Sequence, residues 1–323
     1  MRTFNLITLV LAMVVILLGA FTRLTDAGLG CPDWPGCYGF LTVPQAEQVA
    51  TAEARFPERP VEAAKAWAEM IHRYVAGTLG LFILALAVMS VRTPNVPKVL
   101  PWILVGLVIF QGALGMWTVT LNLLPVVVMG HLIGGFTIFA LLFWNWLSLG
   151  KTQPSASPTL QLRPLALAAM VVLACQIMLG GWTSANYASL ACTQLPVCEG
   201  SWWQQLSPAE AFQPLPPPAK SYEFGVLDYP ARMTIHVSHR FGAAITTLVL
   251  LLLWVRLRQH NIWRESHWLG GLLLLQVGLG VANVVGSLPL AVAVAHNGVA
   301  ALLLLSLVAV YHRLSPQQGV AHG

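Results

Sequence analysis

Charge is what this chain has least of. Only 9% of its 323 residues are Asp, Glu, Lys or Arg, against about a quarter in ordinary globular domains. That shortage, with 57% hydrophobic residues and a mean hydropathy of +0.71, excludes a soluble domain. No run of like charge exists, so the net charge of +5 offers no surface for nucleic acid and reports membrane topology instead. Strand-to-helix glycine clusters are missing as well. Spacings such as Gly112-x-x-Gly115 lie inside apolar helical runs, which excludes a phosphate-binding loop.

What is present is a series of eight apolar runs, at about 4–22, 68–91, 99–119, 125–149, 164–182, 231–255, 267–285 and 288–311. Each covers a hydrocarbon core that takes roughly 20 helical residues. The expected fold class is therefore an all-α integral membrane protein with eight transmembrane helices. Arg2, Arg92, Lys98, Lys151, Arg163, Arg256, Arg258, Arg264 and Arg313 fall on one side, with Glu265 as its only acid. The positive-inside bias makes that side cytoplasmic and puts both termini there. Arg2 before an apolar stretch also fits a secretory signal, but the run is long for one and has an internal twin, so a retained span is expected.

That twin belongs to a duplication. Leu18-Gly19-Ala20-Phe21-Thr22 followed by Cys31 and Cys37 is echoed by Leu179-Gly180-Gly181-Trp182-Thr183 followed by Cys192 and Cys198, offset by 161. Gln111, Gly115 and His131 match Gln276, Gly280 and His296 at 165, and His72-Arg73 matches His239-Arg240 at 167. Three blocks in one order define two parallel pseudo-repeated four-helix bundles, divided as residues 1–150 and 151–323. Between the spans lie two long outer loops. In the first, Thr42 to Arg55 and Val61 to Ala68 are expected to be helical; in the second, the proline run 214–218 cannot be.

Four histidines share one expected depth. His72, His131, His239 and His296 each read as about six residues inside a helix from its outer end, one from the second and one from the fourth helix of each half. Paired imidazoles across a bundle core are how b-type hemes are held. A lone intramembrane histidine is as readily a polar group bonded between helices; four in a duplicated frame reduce that reading. Zinc wants its ligands in one cluster, not two separated pairs. Small neighbours such as Gly130, Gly134, Ala295 and Gly298 leave room for a flat macrocycle, although they also serve plain helix packing.

Glu69 lies three residues before His72, on the same helical face. Its place in the second half is taken by His236, which competes with His239 as a ligand, although the His-Arg-aromatic pattern favours His239. A carboxylate beside one pair only could take a proton or stabilise developing positive charge there; the bland alternative is a Glu paired with a nearby base. Arg73 and Arg240 are candidates for heme propionates or for interfacial anchoring. Each C-x5-C pair, Cys31 with Cys37 and Cys192 with Cys198, is expected to close a loop disulfide in an oxidising compartment. A redox role for the first pair stays open. Cys175 reads as an inert core residue.

Gly19-Ala20-Phe21-Thr22-Arg23-Leu24-Thr25, continuing through Gly28-Leu29-Gly30-Cys31-Pro32-Asp33-Trp34-Pro35-Gly36-Cys37, resembles the signature after the first helix of the heme A synthases, the CtaA family. The resemblance covers essentially the whole chain. It implies oxidation of the C8 methyl of heme O to a formyl group, giving heme A for terminal oxidases. It further implies His72 and His131 at the substrate heme, Glu69 as catalytic carboxylate, and His239 and His296 holding a resident heme b. Location in a bacterial inner membrane, contact with lipid, and partnership with a heme O synthase and oxidase assembly proteins would follow. The rival readings are a diheme electron-transfer cytochrome b and a heme carrier.

Overall fold

The computed structural model describes residues 1–150 and 157–315; Lys151 and the end of the chain lie outside them. Ten α-helices follow in order: α1 Arg2–Leu24, α2 Val49–Arg55, α3 Ala63–Arg92, α4 Val99–Thr120, α5 Pro125–Ser148, α6 Arg163–Ala185, α7 Pro208–Ala211, α8 Tyr229–Gln259, α9 Trp263–Val285 and α10 Leu290–Leu314. All but α2 and α7 are long and apolar enough to cross a membrane, so eight spans are present among the described residues. Proline occupies the first turn of α5, α6 and α8, where its missing N–H costs nothing. The outer helix-to-helix turns pair Asn122 and Leu123 with Ser287 and Leu288, all at positive φ. For the leucines that is an unfavourable backbone; Leu123 offsets it by burying its side chain with Leu29 and Val119.

Helices α1, α3, α4 and α5 contact one another in a closed ring, as do α6, α8, α9 and α10. The rings meet through α1 with α10 and through α5 with both α6 and α10. Lipid is as apolar as leucine, so burial does not select the inside; close packing and polar links do. Leu248, Leu274 and Val99 accordingly stay on the outside. Asn5 on α1 instead donates to the Leu142 carbonyl at 3.0 Å and accepts from Asn145 on α5 at 2.6 Å, with both residues fully buried.

Apolar side chains floor each ring on its inner side: Leu79, Ile83, Phe136 and Phe139 in the first, Leu250, Leu253, Leu303 and Leu307 in the second. The outer face is capped by the two long loops. These are tied together by Arg59 to Glu223 at 3.3 Å and by Arg23 to the Ser184 carbonyl, and the second is tied to the α4–α5 turn by the Tyr222 N–H to the Asn122 carbonyl at 3.0 Å.

Several expectations need correction. Helix α3 starts at Ala63 and α8 at Tyr229; the segment expected to be helical at 61–68 is so from Ala63, as the outer extension of α3. His72 and His239 therefore lie nine and ten residues into their helices, while His131 and His296 lie six in, as expected. The helix expected over 42–55 is shorter, a 3-10 turn at Ala46–Gln48 running into α2. Cys175 is exposed on the outer surface of its ring and is no core residue; a mid-helix position says nothing about which side of the helix faces lipid. The proline run 214–218 is non-helical, as expected.

Candidate functional site

Between floor and cap, the first ring brings His72 from α3 and His131 from α5 together, with ring centroids 6.5 Å apart and planes at 77°. Two imidazoles sharing one metal, each nitrogen roughly 2 Å from it and each ring centre about 1 Å beyond its nitrogen, put their ring centres about 6 Å apart. The observed separation fits one iron between them. In the second ring His239 on α8 has His296 of α10 and His236 as its electrostatic neighbours.

Each imidazole edge rests on a glycine of an adjacent helix. A Cβ added at Gly19, Gly115, Gly180 or Gly280 would stand 3.0, 3.2, 3.1 or 3.3 Å from Cε1 of His72, His131, His239 or His296 respectively. Any larger residue would push the ring away. Glutamine amides hold three of the rings from the side. Gln111 Nε2 lies 3.1 Å from Nδ1 of His131 and donates to that residue's carbonyl, and Gln176 does the same at His239, 3.0 Å in each case. Gln276 reaches Nε2 of His296 at 3.2 Å. Nδ1 of His72 and of His296 is buried without a hydrogen-bond partner, which leaves a lone pair or proton for an external group.

Glu69 is 4% exposed. One carboxylate oxygen accepts the Cys31 N–H at 2.8 Å; the other pairs with Arg73, one turn along α3. Arg73 also donates to the carbonyls of Asp33, Pro35 and Gly36 at 3.0, 3.2 and 2.6 Å. Arg240 does the same in the second loop, to the carbonyls of Cys192 and Val197 at 2.8 and 3.0 Å and to that of Gln194. Both arginines thus fasten the loops through their terminal nitrogens, and Nε of Arg240 stays buried without a partner. Cys31–Cys37 and Cys192–Cys198 are bonded, each with Cα atoms 4.8 Å apart.

His236, at the Glu69 position, is 4% exposed and faces the Ala188 carbonyl; it lies one turn outward of His239. The two mouths are therefore chemically unlike, with a carboxylate in one and an imidazole in the other. Glu199 closes the second loop as acceptor from Thr193 Oγ1 and from the Thr193 and Gln194 N–H groups at 2.8 and 2.9 Å. These bonds, led by the one from Thr193, hold its carboxyl down at about 2.

All four predicted histidines face ring interiors, and Glu69 stands beside the first pair only. The seating of the rings was missed: the glycines and two of the glutamines appear in the repeats, but their contact with the histidines does not. Gln176 had no repeat partner to mark it.

These features define a polytopic membrane protein with buried, glycine-seated histidines in each of its two helix rings. The chain belongs to the family of COX15-CtaA cytochrome oxidase assembly proteins, whose model matches residues 2–308. It is 55% identical over 312 residues to the heme A synthase of Shewanella oneidensis, covering 95% of this chain and 94% of that one. It is also similar to the heme A synthases of Rhizorhabdus wittichii, 28% identical over 335 residues with 96% and 92% covered, and Caulobacter vibrioides, 26% over 329 residues with 93% and 91% covered.

Proposed function

We propose that the protein is a heme A synthase that oxidises the C8 methyl of heme O to the formyl group of heme A. The observation that carries this reading is the asymmetry of the two mouths: matched, glycine-seated imidazole pairs, of which only His72 and His131 have a fixed carboxylate beside them. The first half, residues 1–150, would take the substrate heme. The second, residues 151–323, would hold heme b between His239 and His296 and supply a one-electron redox partner when loaded.

The protein's own part is positioning and proton handling. The glycine seats fix each imidazole edge, the glutamine amides fix three of the ring orientations, and the apolar floor excludes water from below. Glu69, held by the Cys31 N–H and by Arg73, keeps one carboxylate at a set place at the outer rim. There it can take a proton released during oxidation of the methyl carbon. Arg73 pairs with that carboxylate and ties its position to the disulfide loop. The basic inner loops support a bacterial inner membrane location with cytoplasmic termini. A heme O synthase upstream and oxidase assembly downstream fit this chemistry as partners.

Organic extraction of the purified protein tests the reading. Heme b together with heme O or A is expected from the enzyme. Heme b alone would mark an electron-transfer cytochrome or a carrier and overturn it. Glu69→Gln should leave heme O unconverted while both sites stay loaded.

A further inference from the structure

A heme carries two carboxylates; the terminal nitrogens of Arg73 and Arg240 are spent on loop carbonyls and Glu69, which leaves Arg240 only its buried Nε. The floor of each ring is leucine and phenylalanine, so a propionate edge must point outward. In the second half Arg232 and Asn283 each keep a polar atom buried without a partner, as do Tyr187 at its hydroxyl, His236 at Nδ1 and Arg240 at Nε. Arg232 lies seven residues before His239 on α8, two turns outward on the same face, and its Nε is buried with no hydrogen bond. Among the described residues no ion pair or side-chain hydrogen bond engages its guanidinium. Asn283 lies seven residues beyond Gln276 on α9, again two turns outward on the face that presents Gln276 to His296, and its Oδ1 is buried and unpaired. Helices α8 and α9 pack against each other.

The corresponding positions of the first half are spent. Lys65, 167 residues before Arg232, pairs with Glu62 at 3.0 Å. Thr118, 165 residues before Asn283, donates to the Gly115 carbonyl at 2.7 Å. We infer that Arg232, with Asn283 beside it, binds the propionates of the heme held by His239 and His296, and that this grip is built into the second half only. A guanidinium is suited to a carboxylate in geometry and charge, while an orphaned buried polar atom is costly unless a ligand satisfies it. The difference between halves matches their proposed duties: one heme is retained, the other must leave as product.

The inference rests on the second site holding heme, so the test separates the two. In a His131→Ala background, which leaves only the second site intact, wild-type position 232 is compared with Arg232→Gln, Arg232→Lys and, as a control on the exposed inner end of α8, Arg256→Gln. Arg232→Gln should lower the midpoint potential of the bound heme and make it more pH-dependent, because a carboxylate freed from its cation takes up a proton more readily. Transfer of heme to excess apomyoglobin should quicken on the order of tenfold or more. Arg232→Lys should recover part of both, and Arg256→Gln should change neither. Should Arg232→Gln fail to fold, Asn283→Leu supplies the same transfer measurement. Unaltered potential, pH dependence and transfer rate in a loaded variant would overturn the inference alone; absence of any heme in the His131→Ala background would overturn the site reading beneath it.

Discussion

Two alanine substitutions in one helix isolate what the glycine seats do. Gly112 and Gly115 both lie inside α4, and Gly278 and Gly280 inside α9. An added Cβ at Gly112 or Gly278 meets nothing within 4 Å, whereas at Gly115 or Gly280 it meets an imidazole carbon at 3.2 or 3.3 Å. Helix propensity favours alanine by about 0.8–1 kcal/mol at either member of a pair, so that gain cancels in the comparison. What remains is overlap. Carbon pairs prefer roughly 3.5–4.0 Å, and a ring tied to a glutamine amide retreats only by losing that bond. Forced methyl groups in packed interiors cost about 1–3 kcal/mol, which is roughly fivefold to over a hundredfold in the equilibrium between a correctly and an incorrectly set ring. The assay is heme content and the Soret spectrum of each purified variant. Gly115→Ala should lose or shift the signal of the first site and Gly280→Ala that of the second, while Gly112→Ala and Gly278→Ala keep both and gain slightly in thermal stability. Equal behaviour within a pair would refute the seating argument.

Replacing Arg73 with leucine should strand Glu69 and three loop carbonyls; both partners are largely buried, with side chains 13% and 6% exposed, so about 3–5 kcal/mol is expected. Limited proteolysis should then cut the first loop readily, and Arg73→Lys should protect it only in part. Asn145→Leu leaves Asn5 without its donor and should cost about 1–2 kcal/mol, read as an earlier unfolding midpoint in detergent titration. Glu199 is depressed in the fold, so its contribution is present above the ordinary glutamate value of 4.5 and is lost as pH falls toward about 2. Fluorescence of the loop residues Trp202 and Trp203 should report that transition, and Glu199→Gln should abolish it.

Span number and the disulfide partners were legible because hydropathy and duplication are properties of the chain itself. Hidden features depended on rotation and register between elements. Periodicity cannot say that Gly19 of α1 abuts His72 of α3, nor that Cys175 looks outward, since both depend on which way each helix is turned. The starts of α3 and α8 were set too far in because hydropathy marks where lipid begins, while a helix continues into the aqueous cap as far as Ala63 or Tyr229. The loop-fastening part of Arg73 and Arg240 was hidden for a related reason: apart from Glu69, the partners they hold are main-chain carbonyls, which no residue pattern advertises.

Each of His72, His131, His239 and His296 leans on a glycine from within its own ring, α1 for α3 and α4 for α5, then α6 for α8 and α9 for α10. Neither cradle borrows a part from its neighbour. An ancestor of half this length, docked against a second copy of itself, would already have been complete in that respect, and joining the two genes would have freed one copy to change its mouth from acid to imidazole, or the reverse, without loosening either cradle.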